Sequence, residues 1–270
     1  MRLRAAGILL VMLLASGCGG VGPSPTPATP RPSPAVSVVP TLTRVPTAAA
    51  TPAPTLTPAP SPTAVSLVAD PCVDRDINAP LTADPVFSVL DRTYALDPAY
   101  APDLVPIGET GFSGQHLVAT AIVADLGALY RDAHAAGLRL LVDSAFRSYN
   151  QQQMTFDHWV AQQGYDAALL RTARPGHSEH QLGTAIDFSS PGWTGRFGDW
   201  ASETAEGAWL YDHAWEYGFV LSYPWAAEAV TCFGYEPWHY RWIGRPAAAE
   251  QHASGELLRT FLERYVTGPG

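Results

Sequence analysis

No acidic residue precedes Asp70, and thirteen of the chain's 25 prolines fall between Pro23 and Pro62. This divides the 270 residues into two kinds of polymer. Residues 19–69 are Pro, Thr, Ala and Ser, as in Thr51-Pro52-Ala53-Pro54-Thr55. Such a segment buries too little apolar surface to offset its ordering entropy. It is expected to be a disordered, semi-stiff tether, reaching at most roughly 150 Å at about 3.1 Å per residue. From Asp70 onward charges are mixed, aromatics are frequent and apolar runs alternate, which is enough chain for one domain with its own core.

The extreme N-terminus reads as a targeting signal. Met1–Arg4 is basic, Ala5–Ala15 is apolar, and Ser16, Gly17 and Cys18 follow. The apolar run is too short for a bilayer, which needs about 20 residues. Leu14-Ala15-Ser16-Gly17-Cys18 resembles a bacterial lipobox, although Ala15 stands where Leu is commoner. The expected division is a lipoprotein-type signal peptide at 1–17, the tether at 18–69 and a folded domain at 70–270. Cys18 would carry the lipid, holding the exported chain on the outer face of the cytoplasmic membrane. An ordinary signal peptide cut nearby is the alternative.

All 16 basic residues are arginine, and 12 of them face 25 acidic residues after residue 69, a formal charge of −13. That excludes nucleic acid as a natural partner. With Cys18 set aside, Cys72 and Cys232 remain, and an exported domain with two cysteines suggests one disulfide. Two unpaired thiols are the other possibility.

Helical spacing predicts helices over His116–Ala136, Asn150–Gln163, Thr204–Tyr217 and Gly255–Tyr265. Strands are expected at Leu138–Phe146, Thr184–Phe188, Phe219–Tyr223 and Trp238–Ile243. Short helices and strands without regular alternation favour an α+β fold, a small antiparallel sheet flanked by helices.

Three segments concentrate unusual polar residues: Ser144–Gln152, His177–Asp187 and Glu236–His239. Zinc hydrolases use three His or carboxylate ligands and keep a position for water. His180 and Asp187, bridged by a turn at Gly183, can converge, and His239 can complete the set. Glu236 could then act as a base beside the metal. By spacing alone this does not separate a metal site from ordinary polar residues, since a single His is more often a surface or core residue than a ligand.

The segments Ser178-x-His180-x-x-Gly183-x-Ala185-x-Asp187 and Glu236-x-x-His239 resemble the paired motifs of the VanY-type D-alanyl-D-alanine carboxypeptidases. That family shares a superfamily with lysostaphin-type endopeptidases and hedgehog domains. Ser144-x-x-Arg147-Ser148-Tyr149-x-x-Gln152 matches its third motif, and Pro102-Asp103-Leu104-Val105 its upstream segment. The resemblance implies one Zn2+ per chain on the sheet, held by His180, Asp187 and His239, with Glu236 as catalytic acid/base. It implies Arg147 as a catalytic clamp on the substrate's carboxylate or scissile carbonyl, and Ser178, Gln152 and Ser144 as substrate-pocket residues. The implied protein is a monomeric metallocarboxypeptidase acting on peptidoglycan stem peptides. L,D-carboxypeptidase or endopeptidase activity on the same site is an alternative, and a non-catalytic wall-binding module a remoter one. His177 is read as lying behind the site or exposed, His213 as structural, and Trp238 as pocket wall or core.

Overall fold

The computed structural model describes residues 70–79, 84–193 and 200–267. The expected signal peptide, Cys18 and the tether lie outside these residues.

Eight strands and eight α-helices are found among the described residues: β1 Ile77–Asn78, β2 Tyr94–Ala95, β3 Leu104–Pro106, β4 Leu117–Ala119, α1 Val123–Ala135, β5 Leu141–Ser144, α2 Tyr149–Gln163, α3 Tyr165–Leu169, β6 Ala185–Ser189, α4 Trp200–Glu203, α5 Ala205–His213, β7 Phe219–Leu221, α6 Glu228–Thr231, β8 His239–Trp242, α7 Arg245–Ser254 and α8 Leu258–Thr267. The central sheet is antiparallel throughout, in the order β5-β6-β8-β7. This is the expected α+β architecture.

Alternation along the strands assigns each sheet face a job. Ile186 and Phe188 of β6, Phe219 of β7 and Tyr240 of β8 join Leu126 and Leu129 of α1 and Leu210 of α5 in the larger core. Burying each such side chain contributes about 1.5–3 kcal/mol before entropy is charged. The opposite face carries Asp187 and His239 at one end. Val220 continues it into a second core built with Leu182, Ile243, Ala248 of α7 and Phe261 of α8.

Two departures from the sequence-based expectation have physical causes. The helix expected over His116–Ala136 begins as β4, whose residues pair with β3, passes through a 3₁₀ turn over Thr120–Ile122 and becomes α-helical only at Val123. Tertiary hydrogen bonds override local periodicity here: Phe146 N donates to Leu117 O, and Ala119 N to Gly183 O. Strand β5 covers only Leu141–Ser144 of the expected Leu138–Phe146, and a register shift between Val142 and Ser144 interrupts its pairing with β6 before Ser144 meets Asp187.

Cys72 and Cys232 are joined by a disulfide, tying the first described segment to the loop before Glu236. His177 is buried rather than exposed, with Nδ1 2.6 Å from Asp91 O and Nε2 3.0 Å from Asp76 Oδ1. It fastens that same segment to the domain.

Candidate metal centre and active site

The sheet register places Asp187 of β6 directly opposite His239 of β8. Cross-strand neighbours of this kind hold their side chains within about 5 Å of one another. His180 arrives from a 3₁₀ turn, Glu179–Leu182, opened by Ser178 as its cap and closed by Gly183 at φ 73°. A Cβ at Gly183 would stand 2.9 Å from Pro102 Cγ, so glycine is required both for the left-handed backbone and for the space. The turn is what allows two residues seven positions apart to face one another.

Within this frame His180 Nε2 lies 3.2 Å from Asp187 Oδ2, and His239 Nδ1 lies 2.9 Å from Asp187 Oδ1. One ligand atom from each of the three residues falls within 4.8 Å of the others. The outer nitrogens are spoken for: His180 Nδ1 is 2.6 Å from the carbonyl of Ala145, and His239 Nε2 is 2.9 Å from Glu179 Oε2. Both partners are acceptors, so both outer nitrogens donate; the inner His180 nitrogen presents a lone pair, and the inner His239 nitrogen, which donates to Asp187 while no metal is bound, presents one once that proton leaves. Three inward acceptors at this spacing suit a cation, and the His₂/carboxylate set suits zinc.

The charges around the two rings differ. Burial and the nearby Arg147 charge push His180 down to about 4. Burial also disfavours a charged His239, but its hydrogen bonds to Asp187 and Glu179 outweigh this and raise it to about 10. Without metal, a proton on His239 therefore occupies the positive role at the centre. Burial opposes the Asp187 carboxylate, yet the two imidazoles hold it well below the usual range.

Glu236 stands beside the set, with Oε2 3.8 Å from His239 Nδ1. Its backbone N–H donates to Tyr223 O, and its carbonyl accepts from His239 N, which fixes the approach to β8. Burial and the neighbouring Asp187 raise its carboxyl to about 7, against the pull of His239 and Arg147. A carboxyl with that proton affinity can accept and release a proton near neutrality.

Arg147 follows β5. Its Nη1 donates to Ser144 Oγ at 2.7 Å, its Nε to Gln152 Oε1 at 2.9 Å, and Nη1 sits 3.8 Å from Asp187 Oδ2. Arg147, Ser178, His180, Asp187, Glu236, Trp238 and His239 all line one cavity of about 190 Å³. Gln152 occupies a different position from the one expected. It is fully buried, and its Nε2 is taken up by Thr172 Oγ1 and Ala173 O. Gln152 therefore orients Arg147 from behind, and Ser144 contacts the same guanidinium from another side. Ser148 is the N-cap of α2, in a capping box with Gln151. Trp238 is both cavity wall and a residue packed on the larger core. His213 lies away at the surface, paired with Glu216 at 3.0 Å.

Sequence reading missed the layer behind His239. Glu179 Oε2 accepts from Ser222 Oγ at 2.6 Å, and its Oε1 accepts from Arg241 Nη1 at 2.8 Å. Arg241 is fully buried and donates through Nη2 to Val86 O and Ser88 O. Burial works against the Glu179 carboxylate, but the Arg241 charge and the bonds from His239 and Ser222 hold it at about 2. Tyr223, also missed, packs its ring 4.8 Å from that of His239.

The VanY family, described as D-alanyl-D-alanine carboxypeptidase, matches residues 115–245. YodJ of Bacillus subtilis (strain 168), named as a carboxypeptidase, is 33% identical over 184 residues, covering 66% of this chain and 67% of that protein. A D-alanyl-D-alanine carboxypeptidase of Enterococcus faecalis (strain ATCC 700802 / V583) is 33% identical over 143 residues; the match takes in 50% of this chain and 51% of that protein, so only about half of its length is represented. Among solved structures, the LD-carboxypeptidase LdcB superposes with a TM-score of 0.60 at 33% identity, covering 67% of this chain and 88% of its own. The vancomycin-resistance D,D-pentapeptidase VanY, in complex with Zn(II), gives 0.57 at 28% identity, covering 66% and 98%. On the likeness to YodJ and LdcB, together with the matching family region and the His/Asp/His geometry, the chain belongs to the VanY-type carboxypeptidase family of metallopeptidases.

Proposed function

We propose that this chain is a zinc-dependent D-alanyl-D-alanine carboxypeptidase that removes the C-terminal D-alanine of peptidoglycan stem peptides. The observation that carries this reading is a single cavity holding the three converging ligand atoms, the Glu236 carboxyl and the Arg147 guanidinium. One zinc ion per chain would be held by His180 Nε2, the Asp187 carboxylate and His239 Nδ1. When bound, zinc supplies Lewis-acid polarisation of the scissile carbonyl and makes water nucleophilic near neutral pH.

The remaining chemistry belongs to the chain. Glu236 takes the proton of the attacking water and returns it to the leaving amine nitrogen. Arg147, held by Ser144 and Gln152, offers its planar N–H fork to the terminal carboxylate or to the carbonyl oxygen as charge develops there. Ser178, in the same wall, offers a hydroxyl to the peptide.

A second reading, L,D-cleavage of tetrapeptides, is favoured by one observation: the LdcB neighbour is 33% identical against 28% for the VanY structure. As part of the same proposal, residues 1–17 form a lipoprotein-type signal and 18–69 a tether, with the enzyme a monomer held by lipid on Cys18 at the outer face of the cytoplasmic membrane. The basic start, short apolar run and small residues before Cys18 support this.

The test is Glu236→Ala. It is expected to bind zinc as the parent does while D-alanine release from a pentapeptide, followed by mass spectrometry, disappears. Parent-like release by this variant would overturn the assignment.

A further inference from the structure

We infer that Glu179 is a positioning residue for the metal centre: it fixes which nitrogen of His239 faces the metal, and its charge tightens metal binding. The inference rests on His239 being a metal ligand.

Glu179 opens the 3₁₀ turn that delivers His180, yet its own side chain runs the other way, beneath β8. Its carboxylate is nearly sealed from solvent, at 5% exposure, and both oxygens are engaged. Oε2 meets His239 Nε2 at 2.9 Å and Ser222 Oγ at 2.6 Å, while Oε1 meets Arg241 Nη1 at 2.8 Å. An ionised carboxylate only accepts hydrogen bonds, so Nε2 keeps its proton toward Glu179, and the proton that a metal displaces is the one Nδ1 donates to Asp187. A flipped ring would present Nε2 to the metal and set the Nδ1 lone pair or proton against a different geometry at Glu179.

The carboxylate cannot swing to follow such a flip. Arg241 is 0% exposed and anchored at its far end by the carbonyls of Val86 and Ser88. Ser222, immediately after β7, holds Oε2. The result is a carboxylate–histidine pair aimed at a metal position, the arrangement by which outer partners orient a ligand and raise its basicity. His180 has only the neutral carbonyl of Ala145 in the corresponding place. Of the two imidazoles, His239 is therefore the one whose donor strength is set by a charge.

The experiment measures zinc affinity of the full-length protein by competition with a chromophoric chelator, independently of turnover. Glu179→Gln keeps shape and removes the charge, and is expected to weaken zinc binding about 10–100-fold. Because this leaves Arg241 buried without its anion, the double variant Glu179→Gln/Arg241→Met is measured beside it and is expected to show the same loss. Nitrogen-15 histidine spectra of the unmutated zinc-loaded protein provide a readout that needs no variant. They are expected to show His239 protonated at Nε2 and metal-bound at Nδ1. Coordination through Nε2, or a folded Glu179→Gln or double variant with parent zinc affinity, would overturn the inference. Unchanged affinity in His239→Ala would instead remove the ligand assignment on which it stands.

Discussion

The two imidazoles of the candidate metal centre are built to different specifications. His180 is backed by a neutral backbone carbonyl and pushed down to about 4, whereas His239 is backed by a buried carboxylate and raised to about 10. As a proposed ligand, His180 is neutral with or without metal. In metal-free protein His239 is a cation stabilising two anions, and a metal ion must displace its proton. The pair teaches that the centre is held together by charge even before it is loaded: Asp187, Glu179 and Glu236 are offset by Arg147, Arg241 and His239.

The largest effect is expected at the base: Glu236→Gln should lower kcat about 10²–10⁴-fold with zinc retained, measured as D-alanine release from defined stem peptides. Next comes the ligand set. His180→Ala should lose stoichiometric zinc on metal analysis, and full occupancy in that variant would count against His180 as a ligand.

The pH profile sharpens the same contrast. As the proposed base, Glu236 acts only when ionised, and in metal-free protein it sits at about 7. Activity should therefore be lost as pH falls through the Glu236 value. A cation in the site favours the carboxylate, so the acidic limb of kcat/KM should lie at or below about 7, and Glu236→Gln should abolish it. A limb well above 7 would mean that another group carries the proton.

The smallest effect on chemistry is expected far from the ligands. Cys72→Ser/Cys232→Ser releases a bridge spanning 160 residues of sequence and should cost about 2–5 kcal/mol of stability in denaturant titrations. Zinc affinity should change little, since neither cysteine touches His180 or His239.

The parts legible in the sequence are those where chemistry constrains residue type at short spacing. His180, Asp187, Glu236, His239 and Arg147 sit in motifs that leave few alternatives, and the sheet strands carrying them show clear apolar runs. Glu179 was hidden between two motif residues, where an acid ordinarily reads as solvated surface. A faint signal existed for its partner: Arg241 lies two positions after His239 on an expected strand, hence on the same face. Its burial depends on β6, β7 and residues 86–88 meeting around it, which no local pattern announces. Helix α7 escaped notice for a related reason. It buries only Ala247 and Ala248, so it lacks the large apolar periodicity that marks a helix.

The proposed activity is tested most directly by mass spectrometry of a stem pentapeptide incubated with the purified protein, with and without a zinc chelator. Loss of a single C-terminal D-alanine, abolished by chelator and restored by added zinc, is the predicted result. An intact pentapeptide under zinc-replete conditions, or release that chelation leaves unchanged, would contradict a zinc-dependent carboxypeptidase.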